Sequence, residues 1–211
     1  MSTRTIARRA ALAGATLTAA LALAACGGGH SAGSGHDMPG TGAPASASPG
    51  ASASFGDADV MFAQMMIPHH QQAVRMSELA ESRAGDAEVR KLATQIKAAQ
   101  APEIATMTGW LTAWGRPVPS GGPSGGHLPG MDHGMPGMMS DADMAKLAAA
   151  SGREFDRQFL TMMIAHHEGA ITMAKQEIAG GANADAKAMA QQIVTAQRSE
   201  IDTMRKILGR L

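Results

Sequence analysis

Histidine and methionine are the residues with the most chemistry to offer, and they recur in one order. Met65-Met66-Ile67-Pro68-His69-His70 returns as Met162-Met163-Ile164-Ala165-His166-His167, 97 positions further on. Imidazole nitrogen is a borderline ligand and thioether sulfur a soft one, so the pairing suits copper(I) better than a hard cation. Cys26 is the only cysteine, which excludes disulfides within the chain and thiolate metal sites, whereas methionine reaches 17 residues. In an oxidising compartment, imidazole and thioether are the soft and borderline ligands that remain.

The same offset pairs Asp59 with Asp156, Phe62 with Phe159, Ala73 with Ala170 and Met76 with Met173. It continues without a gap through Gln95 and Gln192, Gln100 and Gln197, Glu103 and Glu200, Ile104 and Ile201, and Met107 and Met204. The chain is an internal duplication. Helical periodicity fills both copies, and no strand-like alternation interrupts it. Asp57 or Asp59 can start the first helix, Gly85 can end it in a left-handed cap, and Asp86 can cap a second helix to about Trp114. In the copy, Gly180-Gly181 ends a helix and Asn183 caps the next. A short helix over Ser140 to Ala150 precedes that copy. Pro68 frees the carbonyl of Gln64 and should kink the first helix.

Each repeat therefore reads as a helical hairpin that cannot bury its apolar stripe alone. Two hairpins, 55–115 and 140–211, close as an all-α four-helix bundle across a Met/His-rich loop at 116–139. On helical wheels Met61, Met65, His69 and Met76 fall within about 80°, with Phe62 and Ala80 at the edge. Phe155, Phe159, Met162, His166, Met173 and Glu177 share a similar arc. The first histidine of each pair points inward, the second lies at the seam, and two-fold symmetry brings His69 towards His166. On the return helices Leu92, Ala99 and Glu103 share a face, as do Met189, Ala196 and Glu200. A glutamate on such a stripe must be paired, protonated or metal-bound. Two readings stay open: a metal site, or a core layer in which Glu103 and Glu200 bond the histidines and Gln95 and Gln192 complete it.

The loop favours the metal. His127, Met131, His133, Met135, Met138 and Met139 crowd thirteen residues whose glycines and prolines prevent a packed helix. Those methionines are therefore not core, and thioethers bring nothing to a solvated linker except ligation. His36 and Met38 echo the pattern.

The ends give an address. Arg4, Arg8 and Arg9 precede an apolar stretch, Ala10 to Ala25, that is too short to span a membrane and reads as a signal peptide over 1–25. Leu23-Ala24-Ala25-Cys26 resembles a bacterial lipobox, so Cys26 is expected to carry a lipid anchor. Arg8-Arg9 leaves the export route open between the general and twin-arginine systems. Residues 26–54 form a Gly/Ser/Ala/Pro tether. Lys and Arg balance Asp and Glu at 18 each, so no basic field recommends nucleic acid.

The pattern Asp-x-x-Phe-x-x-Met-Met-Ile-x-His-His-x-x-Ala-x-x-Met, at 59–76 and 156–173, resembles the family called domain of unknown function 305. Gln-x-x-Glu-Ile-x-x-Met, at 100–107 and 197–204, resembles it too. The resemblance covers nearly all of 55–211 and implies a ferritin-like four-helix bundle. It also implies copper bound by methionine and histidine, as in some extracytoplasmic members that contribute to copper resistance. Ferritin-like di-iron proteins carry Glu-x-x-His on their helices. Here Met66-x-x-His69 and Met163-x-x-His166 stand in that register, which turns the preference from iron to copper(I).

The expectation is an extracytoplasmic, membrane-anchored lipoprotein that sequesters or delivers copper(I), with a metal donor or acceptor protein as a further partner. The expected interior ligands are His69, His166, Met65, Met66, Met76, Met162, Met163 and Met173, followed by His70 and His167. The loop residues, Glu103 and Glu200 are secondary. The alternatives are a partner-binding lipoprotein with a metal-free polar layer, and a ferritin-like metal-dependent oxidase. No nucleophile–base spacing suggests a hydrolase.

Overall fold

The computed structural model describes residues 54–120 and 135–211. The signal segment, Cys26, His36, Met38, His127, Met131 and His133 lie outside the described residues. Five helices follow in order: α1 (Asp57–Arg83), α2 (Ala87–Ala113), α3 (Asp141–Ala149), α4 (Gly152–Gly180) and α5 (Ala184–Arg210). The fold is all-α.

Local signals set most boundaries. Asp86 accepts the amides of Glu88 and Val89 to open α2. Ser140 and Asp143 cap each other's amides at α3, and Asn183 accepts Ala186 N–H to open α5. α1 runs unbroken through Pro68, and α2 likewise contains Pro102. The N-cap of α1 is Gly56, not Asp57 or Asp59. Gly85 does not adopt the expected left-handed cap, since α1 closes on Ala84 with extended backbone. Glycine is needed there for close approach instead: a Cβ on Gly85 would stand 3.0 Å from the Cα of Gly152.

α1 packs on α2 and α4 on α5, while α1 and α4 pack against each other as the central pair. They run antiparallel, because the start of α1 shares a core cluster with the end of α4. One cluster joins Val60, Phe62, Met66 and Ile67 to Met107, Met173 and Ile193. The other joins Met76 and Ala80 to Val89, Ile96, Phe155, Phe159, Met163 and Met204. His69, His70, His166 and His167 interrupt the apolar sequence between them, and all four are fully buried. Because α1 is covered on two sides, its buried face is wider than a single stripe and is displaced from the expected arc. Met61 consequently lies 51% exposed, and Ala99, Ala196, Gln95 and Gln192 all face solvent.

The hairpins close one another's turns. Buried Asp156 of α4 accepts Gly85 N–H at 3.0 Å and Asp86 N–H at 2.9 Å. Its repeat mate Asp59 accepts Asn183 N–H at 2.8 Å, Ala182 N–H at 3.1 Å and Gly56 N–H at 2.6 Å. Burial opposes ionisation of Asp59, but those donors outweigh it and hold the carboxyl below its ordinary range. At the first turn Arg210 bridges Asp86 and Glu88, at 2.7 Å to each.

Asp156→Ala should strand two turn amides and cost about 2–3 kcal/mol in denaturant unfolding, whereas a surface aspartate such as Asp202 should cost almost nothing. The Arg210 guanidinium holds Asp86 down to about 2, below the usual 3.8. The stability this contributes is complete above pH 4 and is lost as pH falls towards 2. Arg210→Ala should therefore lower stability to denaturant at neutral pH, with the difference from wild type shrinking as pH falls towards 2.

Candidate metal centre

The central pair of helices presents its histidines to one another at mid-bundle. The rings of His69 and His166 lie 3.7 Å apart between centroids, tilted by 36°, so the two repeats converge there as symmetry requires. His70 and His167 are fully buried and turn towards the return helix of their own hairpin, at the seam between the two helices. His70 Nε2 lies 2.7 Å from Glu103 Oε2, and His167 Nε2 lies 2.6 Å from Glu200 Oε2. The glutamates are half-buried, with side chains 24% and 20% exposed.

Partner chemistry assigns the ring protons. A carbonyl or carboxylate oxygen can only accept, so Nε2 donates from His70 to Glu103 and from His167 to Glu200. His69 Nε2 likewise donates to the Pro136 carbonyl at 3.0 Å. A neutral ring in this arrangement keeps its lone pair on Nδ1. Burial first, and neighbouring His70 second, lower the His69 pKa to about 3. Burial and then His69 hold His166 well below the ordinary histidine value. Both rings are neutral at physiological pH, the form that ligates metals. A carboxylate on the far nitrogen is the arrangement that orients a ligating imidazole and raises its basicity.

Orphaned polar atoms concentrate at this level. Of twelve buried side-chain nitrogens and oxygens without a partner among the described residues, eight belong to His69, His70, His166, His167, Gln100 and Gln197. Buried polar groups are rarely left unpaired, so such a cluster marks a place built for something besides packing. Gln100 and Gln197 were missed as site residues by sequence reasoning. Their signal was identity in both repeats, one turn before Glu103 and Glu200.

The methionines divide about this layer. Buried Met66 and Met173 sit in one apolar cluster and buried Met163 and Met76 in the other, each pair drawn from both repeats. Half-buried Met65 and Met162 pack at the margins of the same two clusters. Met66 and Met163 stand one helical turn from His69 and His166. No three His, Cys, Asp or Glu side chains among the described residues are grouped to hold one ion. A metal here would draw on thioethers as well as imidazoles.

The end of the loop lies over the histidine pair, and the repeats receive it differently. Gln72 of α1 grips Met139 through two hydrogen bonds of 2.8 Å, one to its carbonyl and one from its amide. Gly169 of α4, the repeat mate of Gln72, leaves room instead: a Cβ there would fall 1.9 Å from the Pro136 carbonyl oxygen. Gly137, at φ 76°, makes the turn between these anchors. Met135, Met138 and Met139 are half-buried, and Met139 packs against the core. The expectation that loop methionines stay out of the core fails for Met139, because its backbone is pinned to Gln72.

A duplicated hairpin with paired histidines buried on its central helices defines a class of all-α proteins. The chain belongs to the DUF305 family (domain of unknown function), whose sequence profile matches residues 59–208. It is similar to a DUF305 protein from Streptomyces coelicolor, at 39% identity over 72% of this chain and 93% of that one, with a TM-score of 0.65. A DUF305 fragment from Deinococcus radiodurans matches at 35% identity over 74% and 99%, with a TM-score of 0.65. CopM in its Cu(II)-bound form matches at 35% identity over 72% and 96%, with a TM-score of 0.62. CopM structures bound to Cu(I) and to silver also match. No protein with a curated description matches the chain.

Gly169→Ala should push Pro136 off the histidine pair while leaving helix content unchanged. Faster modification of His69 and His166 by diethyl pyrocarbonate, read by peptide mapping, would register the displacement. Unchanged rates would mean that the segment does not shield them.

Proposed function

We propose that this protein is an extracytoplasmic lipoprotein that binds copper, as copper(I), and sequesters it or hands it on. The observation that carries the reading is the cluster of four buried imidazoles with unpartnered Nδ1 atoms, flanked on both sides by methionine. The likeness to CopM, which takes Cu(I), Cu(II) and silver, supports the metal. His69 and His166 are the proposed inner ligands, with Met66 and Met163 one turn away. His70 and His167 join them, oriented by Glu103 and Glu200. Met65, Met76, Met162 and Met173 would complete soft coordination on either side of the layer. In this reading Cys26 carries the lipid, residues 27–54 hold the bundle off the membrane, and the loop captures the ion.

Thioether and imidazole are neutral donors that stabilise a monovalent soft cation without burying net negative charge. The histidine–glutamate pairs equally suit a metal-free polar layer, so the test must separate the two roles. Leucine at both His69 and His166 fills similar volume and removes the orphaned nitrogens together, a change that can be neutral or stabilising. His69→Leu/His166→Leu should hold or raise the apo melting temperature and lose the ability to withdraw copper(I) from a chromogenic chelator. Glu103→Gln/Glu200→Gln should weaken capture by about 10–100-fold. A wild type that melts at the same temperature with and without copper(I) would refute the proposal, because a ligand of the native state must stabilise it.

A further inference from the structure

An open groove of about 290 Å³ runs between α3 and the early part of α4, lined by Asp143 and Lys146 from the first and Arg157, Gln158, Thr161 and Met162 from the second. Lys146 and Arg157 are exposed. The ion pairs formed by lysine and arginine among the described residues engage Lys97, Arg116, Arg205 and Arg210 instead. Asp143 offsets part of the groove's positive charge, yet its Oδ2 is committed to the Ser140 amide and hydroxyl at 3.3 and 2.6 Å. Half-buried Gln158 donates Nε2 to Glu154 at 2.7 Å and leaves Oε1 without a donor among the described residues.

We infer that this groove docks an acidic segment of a second protein, whose carboxylates pair with Lys146 and Arg157. The inference rests on the reading of the protein as one that hands its ion on, and it names the surface on which the receiver or donor sits. Arginine offers a planar fork to a carboxylate and lysine a mobile point charge. Placed on two separate helices, they suit successive acidic side chains along an extended chain. Met162 forms the floor, and His166 follows it by one turn on the same face of α4. A partner seated in the groove therefore stands one helical turn from the histidine centre.

The duplication sharpens the assignment. Met162 has its mate in Met65, but Arg157, Gln158 and Thr161 stand where the first repeat has Val60, Met61 and Gln64. Among the described residues α3 has no counterpart in the first hairpin, and it buries only Leu147. It adds little to the core; what it adds to the surface is Lys146 and one wall of the groove. The positive charge thus belongs to one repeat, on the flank where the inserted helix lies.

The test is fluorescence anisotropy of a labelled oligoglutamate peptide titrated with the metal-free full chain. Binding should be measurable at low ionic strength, fall as salt rises and be absent for an oligolysine peptide. Lys146→Glu/Arg157→Glu should weaken it about tenfold or more, with unchanged circular dichroism and unchanged withdrawal of copper(I) from a chromogenic chelator. Lys91→Glu/Arg198→Glu, the same change in net charge at other exposed positions, should bind as the wild type does. Equal binding by the groove variant would overturn the proposal, as would equal losses in both variants, which mark a response to net charge alone. Displacement of the label by inorganic phosphate as readily as by unlabelled peptide would assign a simple anion pocket and overturn it too. If no form of the protein withdraws copper(I) while the peptide still separates the two variants, the copper reading fails and the docking surface stands.

Discussion

Four imidazoles and two glutamine amides are withdrawn from water at mid-bundle, and each buried polar atom without a partner there costs about 1–3 kcal/mol. The helices must hold that layer together against its own cost. Apolar clusters above and below it supply the burial, anchored by Phe62, Met66 and Ile67 at one end and by Phe155, Phe159 and Ile96 at the other. The glutamates offset part of the penalty by fixing one nitrogen of His70 and of His167. What they leave free is one lone pair per ring, aimed into a region with few competing donors. In the proposed reading, one nitrogen of the side chain serves stability and the other ligation.

The repeat, the helical class and the caps at Asp86 and Asn183 were legible in the sequence, because each depends on spacing or on a short-range side-chain bond. The convergence of His69 with His166 followed from symmetry. The wheel of α1 misplaced Met61 because it assumed a single covering surface, whereas α2 and α4 cover that helix from two directions. Gly85 was misread for a related reason: its constraint comes from Gly152, distant in sequence, and not from its own φ. Gln95 and Gln192 matched in both repeats yet face water, while Gln100 and Gln197 matched and are buried. Identity alone did not separate them; the side of α2 and α5 facing the central pair did.

Two copies of one hairpin have been made unequal at a few positions. Gln72 grips the connecting segment where Gly169 merely yields space, so a loop with no counterpart can cross a nearly symmetric centre from one side. Arg157 and Gln158 stand on α4 where α1 carries Val60 and Met61. Small substitutions against a duplicated background convert a symmetric scaffold into one with a defined approach and a defined interior.

The exchange of turn caps has a consequence for how the chain is born. The amides of Gly85 and Asp86 wait for a carboxylate 71 and 70 residues downstream. During synthesis the leading half emerges with its bend unsealed, and it stays so until the beginning of α4 has left the ribosome. The trailing half meets no such delay, since Asp59 is already present when Ala182 and Asn183 appear. A fragment ending in the loop therefore lacks the carboxylate that seals its own first turn.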